Sequence, residues 1–348
     1  MLKRVMLASF VLVALFILAL SSSVAQDSVQ VGPITQAVMD RGELICGVHP
    51  GLAGFGFVND AGEYEGFDVD ICRAVAAAIL GDATKVSFRP LNADERQAAI
   101  QSGEIDLMSR NTTWTMTRDA TWGVTFGPTT FYDGQGFAVA ADSGIATLED
   151  MDGTTICVQT GTTTEGNLAD TMSKNNIEYT PLVFDEADAT FAAFTEGRCD
   201  AFTTDLSGVA AYVTSSADPG AYSILPIVIS KEPLGPLSPQ SDPQFADIVR
   251  WTVFGLFQAE EFGITSENID DFVASDDPAI QRFLGQGDNA TGSSFGIAND
   301  FMVTVIRQVG NYAEIFDRNI GPDTIFGLER GLNALWTDGG LVYSPTWR

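Results

Sequence analysis

Two stretches of the chain repeat one grammar of strand, helix, strand, helix, strand, and no other feature restricts the fold as much. In the first stretch, residues 43–48 form a strand that leads through a Gly-rich loop into a helix over 69–80. Asp68 stands at the N-cap of that helix and Gly81 just past its end. KVSFRPL is then a strand, residues 93–102 a helix stopped by Gly103, and IDLMSR the next strand. In the second stretch TTICVQT, TPLVF and CDAFTT are strands, with helices over 163–174 and 186–196. Gly103 and Gly197 each stand three residues before a strand-opening acid, Asp106 and Asp200, so two lobes of similar build are expected.

Between the blocks, TTFYDGQGFAVAA reads as one extended strand crossing from lobe to lobe, and YSILPIVISKEPLG as a strand and a return. Two crossings make a hinge. The remainder reads as mostly helical: residues 243–262, a shorter helix over 267–274, and 299–316. In the last of these, Met302, Val305, Val309, Tyr312 and Phe316 fall at core spacing. The expected organisation is a leader over 1–25, the first part of lobe one over 34–138 and lobe two over 139–230. Residues 231–348 then return to lobe one and add a helical extension.

The leader is read from Lys3 and Arg4 ahead of an apolar run over 5–20 that ends in Ser23-Val24-Ala25, a small-residue cleavage signature. Cleavage after Ala25 gives an exported chain; an uncleaved anchor is the alternative. No Cys follows the run, so lipid anchoring is not expected. Removing Lys3 and Arg4 from the 18 basic residues leaves 16 against 46 acidic ones, which argues against nucleic acid or an anionic membrane as partner. The same field weakly favours neutral or cationic ligands over strongly anionic ones.

Four cysteines without C-x-x-C spacing in an exported chain read as two disulfides. Three pairings are possible. The favoured one joins Cys46 to Cys72 and Cys157 to Cys199, because each bridge then stays inside one lobe and leaves the lobes free to move. Free buried thiols are the alternative.

Ligands of open parallel sheets bind beyond the carboxyl ends of the strands. After IDLMSR comes Asn111-Thr112-Thr113-Trp114-Thr115-Met116-Thr117-Arg118, after TTICVQ comes Thr160-Gly161-Thr162-Thr163-Thr164, and after CDAFTT comes Asp205. A zwitterion needs donors for its carboxylate and an acceptor for its ammonium. Arg118 offers a planar fork for the first, helped by the Thr162 and Thr163 amides at a helix start, and Asp205 offers the second. Each also has a plainer use. Asp205 and the Thr run can cap the helices that follow them, and Arg118 can form a surface ion pair.

GFDVDICRAVA, QSGEIDLMSRNTTWTMTRD, VQTGTTTEGNLAD and GRCDAFTTDLS resemble the polar amino-acid binding proteins of ABC transporters, from about residue 41 to the C-terminus. The TTWTMTRD, QTGTTTE and FTTD combination with the long C-terminal extension is most similar to the general L-amino-acid-binding type. The resemblance implies the α/β fold of type II periplasmic binding proteins, two lobes on a two-strand hinge with a helical C-terminal extension. It implies an extracytoplasmic monomer that binds a free L-amino acid and serves a membrane permease. Residue by residue, Arg118 would hold the ligand carboxylate with Thr113 and Thr163, and Asp205 the ammonium with Asn111 beside it; Thr160 and Thr162 belong to the same loop. Narrow-specificity relatives often stack an aromatic on the ligand from the first Gly-rich loop. Here Leu52 stands there with Phe55 nearby, which suits a pocket lenient about the side chain. His49, the one histidine, sits in that loop too and could line the pocket, but it is read first as solvent-facing or as a hydrogen-bonded structural group.

Catalysis is not expected. Gly292-Ser293-Ser294-Phe295-Gly296 fits G-x-S-x-G, but a polar loop precedes it and no His follows. There is no P-loop, dinucleotide fingerprint or metal-ligand motif in the sequence, so neither cofactor nor metal is expected. The enzyme alternative is a dehydratase on the same fold, for which Glu165 would be the nearest acid, although in a helix's first turn it serves the dipole. A sensor input domain running on into a membrane helix is also not expected.

Overall fold

The computed structural model describes residues 31–287 and 290–348; the leader expected over 1–25 lies outside them. The chain runs α1 (Pro33–Arg41), β1 (Leu44–Val48), a small hairpin of β2 (Phe57–Val58) and β3 (Tyr64–Glu65), α2 (Phe67–Leu80), β4 (Val86–Pro90), α3 (Arg96–Ser102), β5 (Leu107–Met108), α4 (Met116–Thr121), β6 (Val124–Phe126) and β7 (Phe131–Asp133). It continues through β8 (Gln135–Ala140), β9 (Thr155–Gln159), α5 (Thr163–Asn175), β10 (Thr180–Phe184), α6 (Ala187–Thr195), β11 (Ala201–Asp205), α7 (Leu206–Thr214) and β12 (Tyr222–Ile224). The return comprises β13 (Glu232–Leu234), β14 (Leu237–Pro239), α8 (Pro243–Glu261), α9 (Ile269–Val273), α10 (Pro278–Phe283), α11 (Phe301–Val309) and α12 (Tyr312–Asn319).

The repeated grammar becomes two five-stranded sheets with matching orders, β4-β1-β5-β14-β6 and β10-β9-β11-β8-β12. In each, the first strand of the block lies between the other two and pairs parallel with both, and two strands from outside the block follow, the inner one antiparallel to both its neighbours. β7 and β13 form a separate antiparallel ribbon between the sheets. The expected single strand over 129–141 is therefore two, β7 and β8, broken at Gly134. A Cβ there would collide with the Val228 side chain and lie 2.9 Å from the Ser230 carbonyl, so glycine lets the outgoing and returning chains pass side by side. The boundary expected after residue 138 falls inside β8, which belongs wholly to the second sheet.

Several local expectations are corrected. α2 begins at Phe67 with Gly66 at its N-cap in a conformation, φ 131, open to glycine; Asp68 is not the cap, and its carboxylate accepts from Ser109 Oγ at 2.9 Å and Asn111 N at 2.7 Å. The helix expected over 299–316 is two helices. Gly310 (φ 90) ends α11, and Asn311 starts α12 with a capping box in which its side chain takes the Glu314 N–H while Glu314 takes its own. The core stripe survives the break, because Tyr312 and Phe316 still pack edge-on against Phe67. The C-terminal extension is helical through α8 to α12, and beyond Asn319 the described chain adds two short 3₁₀ turns, Gly331–Asn333 and Trp336–Asp338. Gly292–Phe295 is likewise a 3₁₀ turn with no strand before it.

Cys46 on β1 is bonded to Cys72 on α2, with Cα atoms 6.2 Å apart, and Cys157 on β9 to Cys199, at 5.7 Å. Each bridge staples one sheet to its own surroundings. Among the described residues no helix is long and apolar enough to cross a membrane.

Candidate ligand-binding cleft

The carboxyl ends of β5, β9 and β11 face one another across a cleft between the two sheets. Past β5, Asn111 adopts φ 33, in the left-handed region, where its backbone N–H donates a hydrogen bond to the buried Asp68 carboxylate. The bend aims its side chain across the cleft, where Nδ2 donates to Asp205 Oδ2 at 3.3 Å, while its Oδ1 accepts from Arg110 Nη1 at 3.1 Å. Arg118 sits in the first turn of α4, whose cap Thr115 accepts from its amide at 3.1 Å. Its guanidinium donates through Nη1 to the Thr113 carbonyl at 2.9 Å and lies 5.1 Å from the Trp122 ring. It is 6% exposed and takes part in none of the ion pairs among the described residues, so the surface-pair reading does not hold.

From the second lobe, Thr162 caps α5, accepting from Glu165 N at 3.2 Å and donating to the Gln159 carbonyl at 2.7 Å; it lines the cleft with Thr163 and Thr164. Asp205 occupies the N-cap position of α7 but makes no capping bond there, and its carboxylate turns to Asn111 instead. Burial first, then the neighbouring carboxylates of Asp133 and Glu232, push its pKa well above the ordinary range, with Arg118 and Asn111 pulling the other way.

Glu232, on the hinge ribbon, joins both sides. Its carboxylate accepts from Thr113 Oγ1 at 2.6 Å in lobe one, from Thr163 Oγ1 at 2.9 Å and Asn167 Nδ2 at 2.7 Å in lobe two, and from Ser230 Oγ at 2.6 Å. Thr113 and Thr163 thus line the cleft yet direct their hydroxyls at Glu232. Arg96 adds a second link between the lobes, donating through Nη2 to the Gly161 carbonyl at 3.2 Å.

Two expected site residues lie elsewhere. Phe55 is in the first lobe's core, edge-on to Phe131 with centroids 5.4 Å apart, because the turn at Gly54 (φ 80) sends it inward. Thr160 is absent from the cleft lining; its hydroxyl faces Glu165 Oε2 at 3.3 Å, and that carboxylate also takes the Gly161 amide. Glu165 is therefore occupied at the helix start and not poised in the cleft. Leu52 does form part of the wall. His49 is buried and lines the cleft while its Nδ1 accepts from Gly51 N at 3.0 Å, so it is hydrogen-bonded but not solvent-facing. Burial, with Arg110 and Arg96 nearby, holds it neutral by lowering its pKa well below the usual value.

Arg96, Arg110, Gln159, Thr204 and Tyr212 also line the cleft and are not among the residues expected from the sequence. Arg110 follows β5 directly, so the rule that singled out Asn111 reaches it as well.

Burial of acids makes the protein's stability pH-dependent. Desolvation raises both Asp68 and Asp133 from the carboxylate range to about 6. The folded chain therefore holds these protons more tightly than the unfolded chain, and stability from them is lost as pH rises through about 6. Three buried acids, Asp68, Asp133 and Asp205, outweigh the opposing His49, whose lowered pKa costs stability as pH falls through about 6.5, so the melting temperature without ligand is expected to climb as pH falls from about 7.5 to about 5.5, and Asp133→Asn to flatten that slope. A slope of opposite sign, or one that Asp133→Asn leaves unchanged, would remove this account.

Residues 44–321 match the model of the bacterial extracellular solute-binding proteins, family 3. The chain belongs to that family. Within it, the chain is 50% identical over 312 residues to the general L-amino acid-binding periplasmic protein AapJ of Rhizobium johnstonii, covering 89% of this chain and 92% of that protein. It is 46% identical over 337 residues to the glutamate/glutamine/aspartate/asparagine-binding protein BztA of Rhodobacter capsulatus, covering 95% and 99%. A solved ABC transporter periplasmic binding protein from Brucella ovis with glutathione bound has a TM-score of 0.88 at 48% identity, over 90% of this chain and 99% of that one. These similarities agree with a two-lobed solute-binding protein rather than an enzyme.

Proposed function

We propose that this protein is the extracytoplasmic receptor of an ABC-type amino-acid uptake system, and that it closes its two lobes around the zwitterionic end of a free L-amino acid. The observation that carries this reading is the pairing of opposite charges across the cleft. Arg118 from lobe one and Asp205 from lobe two are both buried, face the same space, and have no ion-pair partner among the described residues. Buried charges are stable only when compensated, and an α-carboxylate and an α-ammonium supply the complement of each. The ligands named for the relatives, including glutathione with its γ-glutamyl end, all carry that pair of groups. Ligand docks on the Arg118 lobe first, the second lobe follows, and the closed form is what a permease recognises. The receptor acts as a monomer.

Reading the shared backbone end leaves room for breadth, because micromolar affinity needs only about 8 kcal/mol and charge-assisted bonds each contribute about 1.5 to 3. A panel of the common L-amino acids is expected to raise the melting temperature in several cases, with each ligand recovered intact by mass spectrometry. A shift with one amino acid alone defeats the breadth, and consumption of a ligand defeats the receptor reading in favour of an enzyme.

A further inference from the structure

The zwitterion accounts for one of three guanidiniums in the cleft. Arg96, on the first turn of α3, and Arg110, at the end of β5, line the same space as Arg118 and are 2% and 3% exposed. None of the three belongs to an ion pair among the described residues. Asp205 is the one acid in the lining; Asp68 stands behind Asn111, and Glu232 is engaged by four hydrogen bonds. The cationic excess is also felt inside the site. Burial first, then Arg110 and Arg118, depress Arg96 strongly, whereas burial lowers Arg110 to about 10 against the pull of Tyr212, Asp205 and Asp68, with Arg118 the smallest influence.

Arg110 is fixed at two corners, donating through Nε to the Leu91 carbonyl at 3.1 Å and through Nη1 to Asn111 Oδ1 at 3.1 Å. Its third corner, Nη2, is buried with no hydrogen-bond partner among the described residues. A purely structural arginine would use that donor, since an unmet buried charged group is costly. His49 contributes as well. With Nδ1 accepting from Gly51, the neutral ring carries its proton on Nε2, a donor on the same wall.

We propose that Arg110, with Arg96 and His49 beside it, forms a second anion subsite that takes a carboxylate on the ligand's side chain. Resting on the receptor reading above, it orders that receptor's preferences: amino acids with a distal carboxylate bind best, those with a distal amide next, and apolar or cationic side chains least. The weak preference for neutral and cationic ligands expected from the protein's overall charge is then reversed inside the cleft. Buried guanidiniums a few ångströms away outweigh a screened surface field.

The test is titration calorimetry of the full chain with L-glutamate, L-glutamine, L-norvaline and L-lysine, on the wild type and on Arg110→Met, with a melting temperature taken for each protein. The wild type is expected to bind glutamate about tenfold or more tighter than norvaline, and lysine more weakly still. Arg110→Met is expected to remove that advantage, bringing glutamate and norvaline to within about threefold of each other. Arg96→Met, which keeps the Arg110 fork, is expected to reduce the glutamate advantage in part and serves as the second variant if Arg110→Met fails to fold. Equal wild-type affinity for glutamate and norvaline overturns the subsite while leaving the zwitterion reading intact. So does an equal loss for both ligands in Arg110→Met, which would make Arg110 a positioning residue for Asn111. Failure of every amino acid to bind the wild type overturns both readings.

Discussion

Arg118→Ala raises the Kd of every amino-acid ligand on the order of a thousandfold. The ligand carboxylate would still be enclosed but would lose the one buried guanidinium among the described residues that is not already shared with Asn111 or Gly161, and a charge left buried without its partner costs about 3 to 5 kcal/mol. The loss is common to all ligands, because the carboxylate is common to all. The unliganded protein should not suffer in proportion, since Arg118 makes one hydrogen bond to a carbonyl and stacks on Trp122. Calorimetry across the amino-acid panel and a melting curve measure both parts. Affinity within about tenfold of wild type would move the carboxylate site elsewhere.

Glu232→Ala is expected to weaken all ligands by about a hundredfold without changing their order. Glu232 collects donors from lobe one, lobe two and the hinge on one carboxylate, so Thr113 and Thr163 share it only while the two lobes stand together as they do here. Losing two charge-assisted bonds that exist only after closure lowers the closed population, and apparent affinity falls with it. Small-angle scattering at saturating ligand should show the variant closer to the open radius, and Glu232→Gln, which keeps an acceptor, should fall between. An unchanged affinity with a lowered melting temperature would reduce Glu232 to a local staple. The contrast with Arg110 is the useful one: Glu232 acts on every ligand alike, Arg110 on those with a second carboxylate.

The two sheets were legible because alternating helices and short apolar strands leave few arrangements, and the strand-end rule then pointed to the loops that line the cleft. What escaped depended on contacts distant in sequence. Asp68 looks like an N-cap from its neighbours, but Ser109 and Asn111, some forty residues away, claim its carboxylate. Phe55 looks like a wall residue because it follows a Gly-rich loop; a single left-handed turn at Gly54 decides which way it faces. The break at Gly310 had a local signature, a glycine followed by Asn-x-x-Glu, which the continuous apolar stripe across it concealed. Glu232 carries no motif at all, since its importance comes from standing where two lobes and a hinge meet.

The second sheet and its helices come from one uninterrupted stretch, entered at Gly134 and left near Ser230, whereas the first lobe is assembled from both ends of the chain. Exchange of this half between paralogous genes therefore needs only two splice junctions, both in the connecting ribbon. Because the guanidiniums and Asp205 sit on opposite sides of those junctions, recombination can reassort the part proposed to read charge on the side chain from the part proposed to anchor the amine. New preferences are then reachable by shuffling whole segments, without stepwise redesign of either core.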